Sequence, residues 1–406
     1  MLSPTRSSQT WTSLRFSVPL SRPALKFLYR PSSESRLGTR MASSTPKIYV
    51  AVVGVGLVGS EFINQLLTIP SSSSPFHLIS LTSTTRTVFN HTHPISSSSW
   101  KSELSNSADR PDLPKLTQQL SALVSPTQKV ALIDNTSSED VAALYPAWLN
   151  AGISVITPNK KAFSGDISLY EAIVAAASKT GGGRFLNEAT VGAGLPIIST
   201  LKDLVATGDK VVKIEGVFSG TMSYIFNEYS TGKSDGPAFS SVVKIAREKG
   251  YTEPHPADDL NGADVARKLT ILSRVISATS PRLQSFASVE TTSLIPPALE
   301  NIATGDEFIA RLPEFDDHFQ KMRAAASSDS QVLRFVGVVD VASGQVRAGL
   351  ERYPTTHPFA TSLGGSDNII MFHTERYGAR PLIVQGAGAG AAVTAMGVLG
   401  DLRKLA

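Results

Sequence analysis

Ile48-Tyr49-Val50-Ala51-Val52-Val53 runs straight into Gly54-Val55-Gly56-Leu57-Val58-Gly59, and this junction decides the fold. The leading residues are apolar and mostly β-branched, the composition of a strand buried on both faces. Phe62, Leu66 and Leu67 follow at helical spacing, so the glycines occupy a strand-to-helix turn. In a G-x-G-x-x-G element so placed, Gly54 permits the tight turn, Gly56 lets backbone approach a pyrophosphate, and Gly59 packs the helix on the sheet. The unpaired N–H groups and positive dipole end of that helix meet the phosphates. Gly54, Val55, Gly56, Leu57, Val58 and Gly59 are therefore candidate dinucleotide contacts. The competing reading is a glycine-rich turn without a ligand.

Downstream the same alternation continues. Strands are expected near Phe76–Leu81, Val130–Ile133 and Ile153–Ile156, with helices near Lys115–Leu123 and Ala142–Asn150, which implies a parallel α/β sheet of the Rossmann type. Pro94–Asp112 is polar and Ser-rich and reads as a mobile surface insertion. From Val211 the pattern becomes α+β with a mixed sheet: strands at Val211–Phe218, Val332–Val341, Val346–Gly349, Asn368–His373 and Leu382–Gln385, helices at Ser240–Lys249 and Gly262–Ser277. No repeat of fixed period is visible.

The formal charge of +4 is concentrated in a leader: Arg6, Arg15, Arg22, Lys26, Arg30, Arg36 and Arg40 stand against Glu34 alone, so residues 41–406 carry about −2. That body has no basic field for nucleic acid. Two readings of the leader compete, a mitochondrial transit peptide and a disordered extension before Met41, the second leaving a cytoplasmic protein. No run of eighteen apolar residues appears, so no membrane span is expected. Cysteine is absent, which removes disulfides, zinc-thiolate sites and thiol catalysis together.

An acid normally ends the second strand of such a sheet and holds the adenosine ribose, but here the stretch reads Leu81-Thr82-Ser83-Thr84-Thr85-Arg86. Hydroxyls and Arg86 suit a 2′-phosphate, so NADP is favoured with NAD tolerated. Asp134-Asn135-Thr136-Ser137-Ser138 and Thr157-Pro158-Asn159-Lys160-Lys161 follow two further strands. Thr136 and Lys160 thus lie at the carboxyl edge where ligands bind, while each in isolation also suits a helix cap or a solvated lysine.

Carboxylates, an imidazole and two cations crowd Gly250–Lys268. Asp258 or Asp259 is placed to cap the helix that follows. Asp264 and Lys268, four apart, share one helix face beside the stripe Val265, Leu269, Leu272, Ile276. Reducing an aldehyde with a nicotinamide needs a proton for the nascent alkoxide. Lys268, desolvated at a domain boundary, is the candidate donor, with Asp264 orienting it or the substrate and Glu253 binding an ammonium. The alternative is an exposed ion pair worth roughly 0.3–0.5 kcal/mol. His255, between two prolines, reads as structural.

Six stretches together carry a family resemblance: Asp134–Ser138, Thr157–Phe163, Asn187–Ile197, Gly216–Thr221, Gly250–Lys268 and Gln385–Gly390. Over nearly all of residues 47–406 the chain resembles the monofunctional fungal homoserine dehydrogenases. That resemblance implies reduction of aspartate 4-semialdehyde to homoserine, in threonine, methionine and isoleucine biosynthesis. It implies Lys268 as proton donor, Asp264 and Glu253 on the substrate, Gly250 and Gly390 near the cofactor, and Lys160 and Thr136 near both. It further implies a sodium ion held by the Glu188 side chain and the carbonyls of Val191, Ala193 and Leu195, and a homodimer. The implied fold is discontinuous: residues 47–195 form a dinucleotide-binding domain completed by 386–406, with 196–385 inserted for substrate and dimerisation. His255 stands where an acid is expected.

Of three rivals, the first is excluded and two remain. Aspartate semialdehyde dehydrogenase needs a thiol for its acyl intermediate, which this chain lacks. A non-enzymatic NADP sensor explains Gly54–Gly59 but not the cluster of Glu253, Asp264 and Lys268. A reductase of another semialdehyde is separable by substrate profile.

Overall fold

The computed structural model describes residues 47–70, 74–276 and 283–406, and the leader reading therefore lies outside the described residues. In chain order the first half comprises β1 (Lys47–Val53), α1 (Leu57–Thr68), β2 (Phe76–Thr82), β3 (Thr87–Phe89), α2 (Trp100–Asn106), α3 (Leu113–Ser121), β4 (Gln128–Asp134), α4 (Glu139–Ala142), α5 (Tyr145–Asn150), β5 (Ile153–Ile156), α6 (Lys161–Ser164), α7 (Ile167–Ala177) and β6 (Phe185–Leu186). The second half comprises α8 (Ile198–Ala206), β7 (Val211–Val217), α9 (Gly220–Tyr229), α10 (Phe239–Glu248), α11 (Ala257–Leu260), α12 (Ala263–Ile276), β8 (Glu290–Thr291), α13 (Gly305–Arg311), α14 (Asp316–Ser328), β9 (Gln331–Asp340), β10 (Gln345–Pro354), α15 (Pro358–Thr361), β11 (Asp367–Thr374), β12 (Leu382–Ala387) and α16 (Ala391–Arg403).

The first six strands form one sheet in the order β3-β2-β1-β4-β5-β6. It is parallel except for β3, which pairs antiparallel with β2 through Ser80–Phe89. Burial of β1 on both faces explains its unbroken apolar run. One face meets α1 and α16: Phe62, Ile63 and Leu66 share a buried cluster with Ala395, Val398 and Leu402. The last helix of the chain thus packs on the first sheet.

The second sheet runs β12-β11-β7-β9-β10-β8, antiparallel apart from the short β10–β8 pairing. Ile214, Phe335, Ile370 and Phe372 enter a core with α9, α10, α12 and α14, while Val217, Val336, Val338, Ile369 and Met371 form a separate cluster with Phe359.

The insertion near 94–112 differs from expectation. It contains a helix, α2, whose Trp100 is buried with Ile95 in the core beneath α1. A tryptophan is a large apolar anchor, and it overrides the serine-rich composition that read as mobile.

Candidate active site

Three glycines shape the turn after β1 differently. Gly54 has φ +89°, and a Cβ there would lie 2.7 Å from Thr136 Cγ2. A Cβ on Gly59 would lie 2.0 Å from the Gly54 carbonyl oxygen, so helix and turn touch backbone to backbone. Gly56 faces open space and precedes an α1 with no side-chain cap, leaving its first N–H groups for an anion. Leu57 is exposed, and Val55 and Val58 are half-buried around the same turn. Beside it both amide atoms of Asn135 are buried without a partner. These features fit a dinucleotide.

Arg86 closes the β2–β3 turn, where the Ser83 hydroxyl accepts the N–H groups of Thr85 and Arg86. Its guanidinium donates to the carbonyls of Ser105 and Ser107 at the end of α2. Neutral carbonyls hold the group in place, with no ion pair to it among the described residues.

A cleft of about 580 Å³ opens between the two sheets, lined by Lys160, Glu253, Asp259, Asp264 and Lys268. Gly250 and Gly390, both with positive φ, line it as well. The α12 helix starts where the Asn261 side chain accepts the Ala263 N–H at 2.8 Å. The expected cap by Asp258 or Asp259 is therefore not made, because both lie a turn earlier on α11 and Asp259 turns back to other donors. Its carboxylate accepts the Thr221 hydroxyl at 2.9 Å and the Glu253 N–H at 2.8 Å.

Lys268 is only 6% exposed. Its Nζ lies 2.8 Å from Asp264 Oδ2 and donates to the Phe218 carbonyl at 2.6 Å. Asp264 Oδ1 lies 2.9 Å from Lys160 Nζ, which arrives from the loop after β5. Asp264 is thus a bridge between two ammonium groups, its own side chain still 41% exposed to the cleft. Burial pushes Lys268 below the ordinary lysine range against the pull of Asp264, and the charge of Lys160 adds to that lowering. Burial acts upward on Asp264, but Lys268 and Lys160 together hold it well below the usual carboxylate range. Burial, joined by the charges of Glu253 and Asp264, raises Asp259 to about 6 despite its hydrogen bonds. His255 is structural, bonded to the Ile302 carbonyl and the Ala257 N–H.

Comparison with known proteins decides the family. Residues 54–187 match the family model described as homoserine dehydrogenase, NAD binding domain, and 196–402 match the model described as homoserine dehydrogenase. A homoserine dehydrogenase of Schizosaccharomyces pombe is 47% identical over 372 residues, covering 90% of this chain and 97% of its own.

The chain belongs to the homoserine dehydrogenase family.

Among solved structures, a Candida auris protein of unknown function is 45% identical with a TM-score of 0.83, covering 89% of this chain and 98% of that one. A hyperthermophilic archaeal homoserine dehydrogenase in complex with NADPH is 23% identical with a TM-score of 0.63, covering 88% and 97%; at that identity the likeness shows the fold alone. The chain is thus an oxidoreductase of the homoserine dehydrogenase family, with a Rossmann-like domain for a nicotinamide dinucleotide.

The remaining residues expected of this homoserine dehydrogenase family member lie beside the cleft. Thr136 abuts the Gly54 turn. Glu188 accepts the N–H groups of Ile198 and Ser199 at the start of α8 and lies 3.6 Å from Lys404 Nζ. Val191 and Ala193 are buried, and neither carbonyl accepts a backbone N–H among the described residues; the Leu195 carbonyl accepts that of Ile197. Unpaired carbonyls in a buried turn fit a hard monovalent cation. Sequence reasoning missed Asp259 as a cleft group and read it as a cap. Its only signal was an acid next to Asp258 in a run already rich in acids.

Proposed function

We propose that the chain reduces L-aspartate 4-semialdehyde to L-homoserine, reversibly, with NADPH preferred and NADH accepted. The Lys160–Asp264–Lys268 chain of charges, in a cleft also lined by Glu253 and Asp259, carries the reading. A bound nicotinamide supplies the hydride to the aldehyde carbon.

The protein's own groups do the rest. Lys268, lowered by burial and held between Asp264 and the Phe218 carbonyl, gives its proton to the nascent alkoxide. Asp264 keeps that ammonium oriented and takes part in binding the substrate. Lys160, at the same carboxylate, adds positive charge where the oxyanion develops and reaches toward the cofactor. Glu253 and Asp259 hold the substrate ammonium, whose charge favours two nearby carboxylates. Gly54–Gly59 and the α1 N-terminus receive the pyrophosphate, Thr136 and Gly250 border the nicotinamide half, and Gly390 approaches the dinucleotide at the start of α16. Arg86 recognises the 2′-phosphate.

Glu188, Val191, Ala193 and Leu195 would hold a sodium ion, which fixes the segment joining cofactor and substrate parts. The free carbonyls of Val191 and Ala193 support this. Domain division at 47–195 with 386–406, and 196–385, belongs to the same reading, supported by the packing of α16 on α1. A homodimer is its expected assembly, testable by sedimentation. No described helix is long and apolar enough to cross a membrane. Activity is tested by NADPH absorbance with aspartate semialdehyde: steady consumption is expected, and none overturns the reading.

A further inference from the structure

Lys160 reaches Asp264 from a loop of the first sheet, and one buried carboxylate sets where that loop stands. Asp134, the last residue of β4, is fully buried. Its Oδ1 accepts the Thr136 N–H at 2.7 Å. Its Oδ2 accepts the Asn159 amide at 3.1 Å and the Tyr145 hydroxyl. Its carbonyl accepts the Thr157 hydroxyl at 2.7 Å, and that same Thr157 oxygen accepts the Asn159 N–H at 2.8 Å. Asn159 also donates to the Ser138 carbonyl at 2.9 Å, tying the two strand-end loops together directly.

None of these partners is a cation. A buried carboxylate held by neutral donors is costly, and an apolar replacement of the whole cluster would serve stability as well. What the cluster supplies is geometry: Thr136 packs on the Gly54 turn, and Lys160, next to Asn159, lies 2.9 Å from Asp264.

We propose that Asp134 is a positioning residue: it fixes the Thr136 loop and the Lys160 loop to one another, so that the cofactor turn and the Lys160–Asp264–Lys268 chain are set as one unit. The proposal rests on the reading of Lys160 as a working group of the site. Tyr145 serves as a brace, its hydroxyl kept protonated because burial and the neighbouring Asp134 push it well above the usual phenol range.

The test is a double-mutant cycle on the full chain with Asp134→Asn and Lys160→Gln, read as kcat and its pH profile. Asparagine turns a donor toward either the Thr136 N–H or the Asn159 amide and opens the cluster. Asp134→Asn is expected to lower kcat by about 10- to 100-fold, the effect of misplacing a group by about an ångström. It also moves the basic limb of the profile upward, as Lys160→Gln does, because Lys160 no longer lowers Lys268. Tyr145→Phe, which removes a single donor, shows the same change more weakly and serves if the first variant folds poorly. Coupled residues do not add, so with NADPH saturating, where the Thr136 side of the cluster no longer limits kcat, the double variant stays within about twofold of Lys160→Gln. Additive losses, or lowered activity with an unmoved pH profile, overturn the proposal alone. A Lys160→Gln variant with unchanged rate and profile overturns the reading of the site, and this proposal with it.

Discussion

Asp264 and Lys160 meet across the cleft, carboxylate to ammonium at 2.9 Å, although one belongs to the α12 helix and the other to a loop of the first sheet. The other oxygen of Asp264 lies 2.8 Å from Lys268. Two cations therefore depend on one anion. Asp264→Asn takes from a buried ammonium the carboxylate it is paired with, and kcat/KM for the semialdehyde is expected to fall about 100-fold. NADPH affinity should hold, since the turn after β1 is untouched. Steady-state rates and cofactor titration check both; a loss confined to cofactor binding would contradict the bridge.

Asp259 is expected to give the pH dependence its acid side. Its carboxyl is raised to about 6, by burial first and then by Glu253 and Asp264. Below that value it is protonated and no longer attracts an ammonium. For the semialdehyde, kcat/KM is expected to fall as pH drops through about 6, the limb belonging to the free protein. Asp259→Asn removes the limb and lowers kcat/KM at every pH. A limb that persists in the variant would assign the titration to another group.

The three turn glycines separate folding from binding. Alanine at Gly59 forces a Cβ to 2.0 Å from the Gly54 carbonyl, an overpacking expected to cost roughly 1–3 kcal/mol in thermal unfolding. Alanine at Gly56 meets no protein atom, so stability stays within about 0.5 kcal/mol while NADPH affinity drops. Equal effects at both positions would argue against a bound pyrophosphate.

Arg86→Ala tests the adenosine end. The guanidinium is anchored by uncharged carbonyls, so its loss should raise KM for NADPH about tenfold, the scale of a charge-assisted hydrogen bond, and leave KM for NADH unchanged. Parallel changes with both cofactors would remove Arg86 from 2′-phosphate recognition.

Where a segment has a sharp boundary or carries polar residues beside a regular apolar stripe, its sequence was readable. The β1 run and its glycine turn are examples, as is α12, whose expected stripe of Val265, Leu269, Leu272 and Ile276 is buried. The α9 helix escaped because it is buried almost all round, from Thr221 to Phe226 and Tyr229, so no polar face marks the helical period. The β3 and β6 strands were too short to carry a pattern, with three and two residues, and α2 is announced only by Trp100 within a polar stretch.

Within the cleft, local spacing revealed the Asp264–Lys268 pair because a helix fixes residues four apart on one face. It could not reveal that Lys160 shares the same carboxylate, that Asp259 turns back onto Thr221 and Glu253, or that Asp134 joins two loops. Those contacts depend on how strand ends converge, a property of the assembled sheets.

In the proposed reaction the Lys268 ammonium, lodged between Asp264 and the Phe218 carbonyl, delivers the proton. A single-turnover measurement of NADPH oxidation by Lys268→Ala, with aspartate semialdehyde saturating, tests it most directly. Expected is unchanged cofactor affinity with hydride transfer slowed about 100- to 10,000-fold, the range for loss of a general acid. Turnover within about threefold of the unaltered protein, well short of that range, would contradict it.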